Sequence, residues 1–385
     1  MRYTPDYYET FHCTAGECPI TCCQEWKISV DADTNRKWKK LPPPDGTSEL
    51  RKNVSAYTTH KDGDRVIELT SEHQCSFLNE GKLCRLVLAY GDSVLSETCT
   101  TFPREIHTYE THEEATLMPC CPAVIDLWHS RETLTFPVVS ASEASPLFEI
   151  RTQLLHLLQH STDSVEMALL SGFYILLELR RADTLANELV RNYFSEKTIS
   201  QLQPLIHDIE FSWKDTLSEC NELLLDLAVN YQKEALYLDY LTPILSLAET
   251  LSKQNAPDEL LESWKDFQNA LAPYQPLLRN FLANEFFSDL LEPGSNLEDM
   301  ILQMQWIALE FVIVRHSLFL KWMCDGSSEL PYETVRDYLV IITRMTGYDV
   351  EDIREYMGNN FEELIWEWGY LGMIVNQSHL KLQNR

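Results

Sequence analysis

The chain has 385 residues, with 31 Lys and Arg against 59 Asp and Glu and a formal net charge of −28 at pH 7. Such an acidic excess repels phosphate backbones, which argues against a nucleic-acid ligand and permits a basic, lysine-bearing protein partner. No run of about eighteen uncharged apolar residues occurs; the nearest, Ile301 to Met323, is broken by Glu310, Arg315, His316 and Lys321 and reads as a buried core helix, with no membrane span.

Nine of the eleven cysteines lie in the first 121 residues. The opening MRYTPDYYETF has neither the basic n-region nor the apolar h-region of a secretory signal, so a reducing cytoplasm is expected, where thiols stay available to a metal and disulfides rarely persist. Cys13, Cys18, Cys22 and Cys23 come first. Lys27 to Asp31 then alternates like a strand, Leu41-Pro42-Pro43-Pro44-Asp45-Gly46 is a loop because proline cannot continue a helix, and Asp62-Gly63-Asp64 is a turn with Arg65 to Leu69 as the partner strand. Cys75, Cys84, Cys99 and the doublet Cys120-Cys121 follow.

Val138 to Pro146 is small, polar and without period, a linker between residues 1–137 and 146–385. Beyond it the spacing becomes helical: Leu154, Leu155, Leu157 and Leu158, then Met167 to Arg181, Ser218 to Tyr240, Asp258 to Leu271 and Leu297 to Met323. Six to nine helices are expected. The first 130 residues hold thirteen Lys and Arg against twenty Asp and Glu, a net of −7, which leaves −21 on the remainder. The expected architecture is α+β, mostly α: a small cysteine-rich, metal-binding N-terminal domain packed on a larger all-helical C-terminal domain.

The cysteine spacing carries the chemistry. Zinc ribbons use paired C-x2-C knuckles, which this chain lacks, whereas iron–sulfur sites tolerate irregular spacing and often place a proline after a ligand, as in Cys121-Pro122. Iron–sulfur is therefore favoured, with zinc as the alternative metal. Neighbouring side chains diverge, so each doublet offers one ligand to a given centre. The ligand pool is Cys18, Cys22, Cys23, Cys75, Cys84, Cys99 and Cys121, from which about four are used; Cys13 and Cys120 are second choices.

Other residues have plainer readings. His12, His73, His107 and His112 are read as surface or hydrogen-bonding histidines, and Arg104 as a carboxylate or cluster partner or a structural salt bridge. Trp26 packs beside the metal site. Trp306, Phe311, Phe319 and Trp322, like Trp366, Trp368 and Tyr370, read as core, with an aromatic cage for a methylated amine as the alternative. Glu362, Glu363 and Glu367 form a solvated face or guide a basic substrate.

The run Phe11-x-Cys13-x4-Cys18-x3-Cys22-Cys23-x2-Trp26-x-Ile28, with Cys75-x-Phe77-Leu78, Leu83-Cys84-Arg85, Thr98-Cys99-x2-Phe102-Pro103-Arg104 and Cys121-Pro122, resembles the flagellin lysine-N-methylase family of bacteria and a broader cysteine-rich group of zinc- or iron-chelating domains. Asn280-Phe281-Leu282-x-Asn284-Glu285-Phe286-Phe287 and the helix bearing Arg315 resemble the family's second half. The resemblance implies S-adenosylmethionine-dependent methylation of lysines on flagellin by a protein carrying a [4Fe-4S] cluster. Two departures concern Pro19-Ile20-Thr21 and Ala123, where acidic residues are usual.

Methyl transfer needs a neutral amine, and a free lysine titrates near about 10.4, so the site must desolvate it or offer a base. A radical C-x3-C-x2-C motif is absent, because after Cys18-x3-Cys22 the required position is Glu25. A cluster here is expected to be structural or redox-sensing. No G-x-G-x-x-G opens a βαβ unit, so the cofactor pocket and catalytic residues stay unassigned. The alternatives are a non-enzymatic metal carrier, a redox sensor or a zinc-stabilised scaffold.

Overall fold

The computed structural model describes residues 1–47, 51–61, 63–138, 145–160, 164–253, 259–347, 349–361, 364, 366–376 and 380–381. Helices dominate, and twelve of them follow residue 146 among the described residues, more than the six to nine expected. The apolar stretch Ser218 to Tyr240 divides into Trp213–Lys233 and Leu238–Lys253, separated by a turn in which Ala235 and Tyr237 take left-handed φ values of 56° and 51°. Asn187–Tyr193 and Trp368–Val375 are too short for a periodic stripe to reveal them.

The central element is Leu297–Cys324, a 28-residue helix opened by a capping box between Asn296 and Asp299. It is buried nearly all round because eight other helices pack on it among the described residues, including Val165–Arg180, Gln275–Ser288 and Tyr332–Thr346. Trp306, Phe311, Phe319 and Trp322 are core residues there. Among the described residues no helix is long and apolar enough to cross a membrane.

The first part of the chain is irregular. β1 (Arg2–Tyr3), β4 (Arg104–Thr108) and β5 (Glu113–Leu117) form a sheet ordered β1-β5-β4, with β4 and β5 antiparallel in the register Ile106 to Ala115. β2 (Thr58–Lys61) and β3 (Asp64–Ile67) form a separate hairpin. The expected Lys27 to Asp31 strand reduces to a single bridge, Ser29 to Val66, flanked by bonds from Val30 N to Arg65 O and from Ile67 N to Ile28 O. Its expected partner instead takes its ladder from β2. The loop at Leu41 to Gly46 stands as expected, with Gly46 at φ +77°. The Val138 to Pro146 linker lies largely outside the described residues, as do Asp62, Glu362 and Glu363.

Two apolar cores result. The smaller gathers Ile28, Val30, Trp38, Val54, Tyr57, Ile67, Cys75, Phe77 and Leu86. The larger fills the helical body and also takes in Tyr7, Phe11, Ile20, Leu117, Cys121 and Trp128. Two buried asparagines clasp the early chain to the helix Gln275–Ser288: Asn280 donates to the carbonyls of Trp128 and Arg131, and Asn284 donates to that of Leu117 while accepting from the Tyr7 hydroxyl. The resembling Asn280–Phe287 stretch thus has a structural role.

Candidate functional site: a thiol cluster beside an acidic cavity

Short loop bridges bring the cysteines together. Gln24 pairs with Gln74 and the Cys75 amide donates to the Cys23 carbonyl at 2.7 Å, while Leu78 pairs with Cys84. Cys99 sits in the short helix Glu97–Thr101, capped by Ser96, whose hydroxyl accepts from the Cys99 amide. Cys121 is the N-cap of Pro122–His129, with proline at the first helical position. Cys18, Cys22, Cys23, Cys75, Cys84, Cys99 and Cys121 all lie within electrostatic reach of one another through shared neighbours: Cys22 alone feels or is felt by Cys18, Cys23, Cys75, Cys99 and Cys121, and Cys84 by Cys75 and Cys99.

Burial pushes most of these thiols up, Cys99 to about 11 and Cys121 to about 12. Cys22 is instead brought down to about 7, first by a hydrogen bond with Cys23 and then, against burial, by the charge of Arg344. Cys13 stands apart, exposed at the surface. Cys120 turns away from its neighbour into a cavity.

Arg344 joins this centre to the helical body. Its guanidinium donates to the carbonyls of Cys120 (3.0 Å) and Ile20 (3.0 Å) and to the Tyr237 hydroxyl (2.9 Å), and lies 4.9 Å from the Trp26 ring centre. Trp26 packs on the smaller core, as do Cys23, Cys84 and Cys99, and meets the Phe102 ring edge-on at 5.4 Å. Arg104 lies over the Phe11 ring at 5.5 Å and makes no ion pair among the described residues.

On the other side of the Cys120-Cys121 doublet is a cavity of about 360 Å³. Its wall carries six carboxylates, Glu105, Glu285, Asp289, Glu292, Glu310 and Asp349, together with His107, Gln303 and Trp306. Burial pushes Glu285 well up, Asp289 to about 8 and Glu310 to about 7, where the Thr346 hydroxyl donating to Glu310 opposes the shift. Glu105 is held below the usual range despite its burial, because the imidazole of His107, 3.4 Å away, favours its charged form; His107 is raised in turn. So many carboxylates in one cavity hold protons or attract a cation. A second cavity of about 370 Å³ lies by Thr21, Glu25, Tyr237 and Asp239.

Sequence reasoning gathered the thiols and missed the cavity. His107 lines the acidic wall, whereas His12 is exposed and His112 is buried against Glu114, whose carboxylate receives both guanidinium nitrogens of Arg151. Trp306 is core on one side and cavity wall on the other. The available signal was Glu310, a carboxylate interrupting an otherwise apolar helix.

Fold and site define a mostly helical protein that sets clustered cysteines against a buried acidic cavity. The chain belongs to the FliB lysine N-methylase family: the model of the FliB lysine N-methylase C-terminal domain matches residues 151–374, more than half of the chain. That range holds Glu285, Asp289 and Glu310 but not the thiol loops. The chain is similar to the lysine-N-methylase of Salmonella typhimurium, 28% identical over 181 residues, or 43% of this chain and 44% of that protein. It is similar to that of Salmonella choleraesuis at 26% over 189 residues, also 43% of this chain and 44% of that protein. Against the flagellar biosynthetic protein FliU of Salmonella muenchen it is 32% identical over 123 residues, covering 31% of this chain and 72% of that protein. The chain thus spans under half the length of the two lysine-N-methylases it matches. No solved structure matches.

Proposed function

We propose that this chain is an S-adenosylmethionine-dependent protein lysine N-methyltransferase that acts on flagellin in the cytoplasm and carries a [4Fe-4S] cluster. The supporting observation is the acidic cavity, whose wall includes Cys120, the residue just before the thiol Cys121. Both reactants of this chemistry, a sulfonium donor and a lysine ammonium, are cations, and a cavity with six carboxylates suits both.

The chain's own residues then have distinct tasks. Trp306 offers an aromatic wall to the onium group, with its ring nitrogen held by the Thr346 carbonyl at 3.1 Å. Desolvation lowers the amine pKa, and Glu310, poised near about 7, receives the proton at its carboxylate. Asp349, exposed at the rim, attracts the lysine chain.

The thiol set fits an iron–sulfur core better than one zinc. A tetrahedral zinc with Zn–S near about 2.3 Å gathers its sulfurs within about 4 Å of each other, whereas among the described residues no three thiols lie within 4.8 Å. The ligands come from Cys18, Cys22, Cys23, Cys75, Cys84, Cys99 and Cys121, with Arg344 balancing their negative charge. A bound cluster would supply cross-linking of the loops and a site for one-electron change.

The test is anaerobic purification followed by metal analysis and transfer of labelled methyl to flagellin. About four irons per chain and label on lysine, lost by at least a hundredfold in Glu310→Gln with donor binding kept, support the reading. A colourless zinc protein sinks the cluster. Iron without transfer to lysine favours the non-enzymatic carrier or redox sensor.

A further inference from the structure

One corner of the cavity is more specific than an acidic surface. A carboxylate oxygen each from Glu105 and Asp289 and a ring nitrogen of His107 lie within 4.8 Å of one another. Glu105 and His107 are two apart on β4, where alternate side chains share a face, and Asp289 closes the helix Gln275–Ser288. A strand and a helix thus bring three ligand-type atoms to one point. The His107 Nε2 approaches Glu105 only at 3.4 Å and makes no hydrogen bond among the described residues.

Gln303, on the central helix, adds an independent observation. It is 2% exposed and lines the same cavity; its Nε2 donates to Glu292 at 3.2 Å, while its Oε1 is buried without a hydrogen-bond partner among the described residues. The Glu292 acceptor fixes which end of the amide is nitrogen, so the unmet atom is an acceptor oxygen. An unpaired, buried carbonyl oxygen in a negative cavity calls for a cation, and the His107 nitrogen, close to Glu105 without a hydrogen bond to it, can face the same ion once deprotonated.

The surroundings orient the donors. The Ser288 hydroxyl donates to the second oxygen of Glu105 at 2.8 Å and is held at 3.0 Å by Thr116, leaving the first oxygen to face His107. Outer partners of this kind fix ligand carboxylates in metal sites.

We propose that Glu105, His107 and Asp289 bind one divalent first-row metal ion, of the class of Mn²⁺, Fe²⁺ or Zn²⁺, at a site distinct from the thiol cluster. One imidazole with two carboxylates is too nitrogen-rich for a calcium cage and too hard for Cu(I). The ion neutralises the corner made by β4 and Asp289, while Glu310 and Trp306 lie on the part of the wall built by the central helix.

The probe is Mn²⁺, titrated into the intact, anaerobically purified protein after dialysis against a chelator and followed by the electron paramagnetic resonance of free Mn²⁺. Thiolates suit this ion poorly, so the cysteines do not mask the site. One ion per chain is expected, bound at least tenfold more weakly by Ser288→Ala, which keeps every charge, and at least a hundredfold more weakly by His107→Asn and Asp289→Asn. Circular dichroism shows whether each variant has folded. Absence of saturable binding to the wild type, or unchanged affinity in folded His107→Asn and Asp289→Asn, overturns the site; methyl transfer persisting in that case would leave the lysine reading standing.

Discussion

Glu310 and His316 both interrupt the apolar run of the central helix, and burial acts on them in opposite senses. The neutral imidazole of His316 hydrogen-bonds to Asn221 at 2.8 Å, and burial, then the neighbouring charge of Arg315, brings its pKa from 6.5 down to about 3. Its contribution to stability is therefore present above about pH 6.5 and is lost as pH falls towards 3, by up to about 1.4 kcal/mol per pH unit. Glu310 rises from 4.5 to about 7, so its contribution is present below about 4.5 and is lost as pH rises through 7. Urea unfolding between pH 4 and 8 should show His316→Gln flattening the acid limb and Glu310→Gln flattening the neutral one. Curves parallel to the wild type would contradict these burial assignments. The cysteine pool was legible from sequence because loop cysteines in a reducing setting have few other uses. The cavity was not, since Glu105, Asp289 and Glu310 are 184 and 21 residues apart along the chain and meet only after folding.

At the scale of elements, Gly172 and Arg344 set how helices meet. A Cβ at Gly172 would come within 2.5 Å of Leu154 and 3.4 Å of Met304, so this glycine lets Val165–Arg180 approach both Pro146–His160 and the central helix. Gly172→Val should cost about 1 to 3 kcal/mol through overpacking, read as a shifted denaturation midpoint; an unshifted midpoint would mean that the crossing is loose. Arg344 ties Tyr332–Thr346 to the loops at Ile20 and Cys120. Arg344→Met leaves those carbonyls without their donor at about 1 to 3 kcal/mol each and, with the thiols holding iron as proposed, should also release it faster under a chelator. Iron release at the wild-type rate would separate Arg344 from the thiol centre. Long helices were readable from 3.6-residue spacing, but the break at Ala235 to Tyr237 was not, because no glycine or proline marks it and non-glycine residues adopt the left-handed backbone there.

Across the whole molecule, the thiols occupy the junction between a core too small to stand alone and a helical body that needs no help. Nine buried residues, drawn from Ile28 to Leu86, make up the smaller core, far fewer than in the larger one, and a segment of about 60 residues buries too little surface to be more than marginal alone. Its ties to the body include the exposed pair of Lys61 and Glu234, the bond from the Tyr237 amide to Glu25 at 3.1 Å, and the Arg344 clamp. An exposed ion pair contributes about 1 kcal/mol or less, so the metal proposed for the thiols would supply much of the remaining order, as metal binding and folding are one equilibrium in such segments. Removing the metal anaerobically should therefore speed amide exchange at least tenfold in β2, β3 and the loops around Cys75 and Cys84, while the central helix between Leu297 and Cys324 keeps its protection. Faster exchange throughout the chain would mean that the two cores unfold as one unit. No change anywhere would mean that hydrogen bonds and packing alone hold the cysteines in place, and the metal would then have to be justified by chemistry and not by folding.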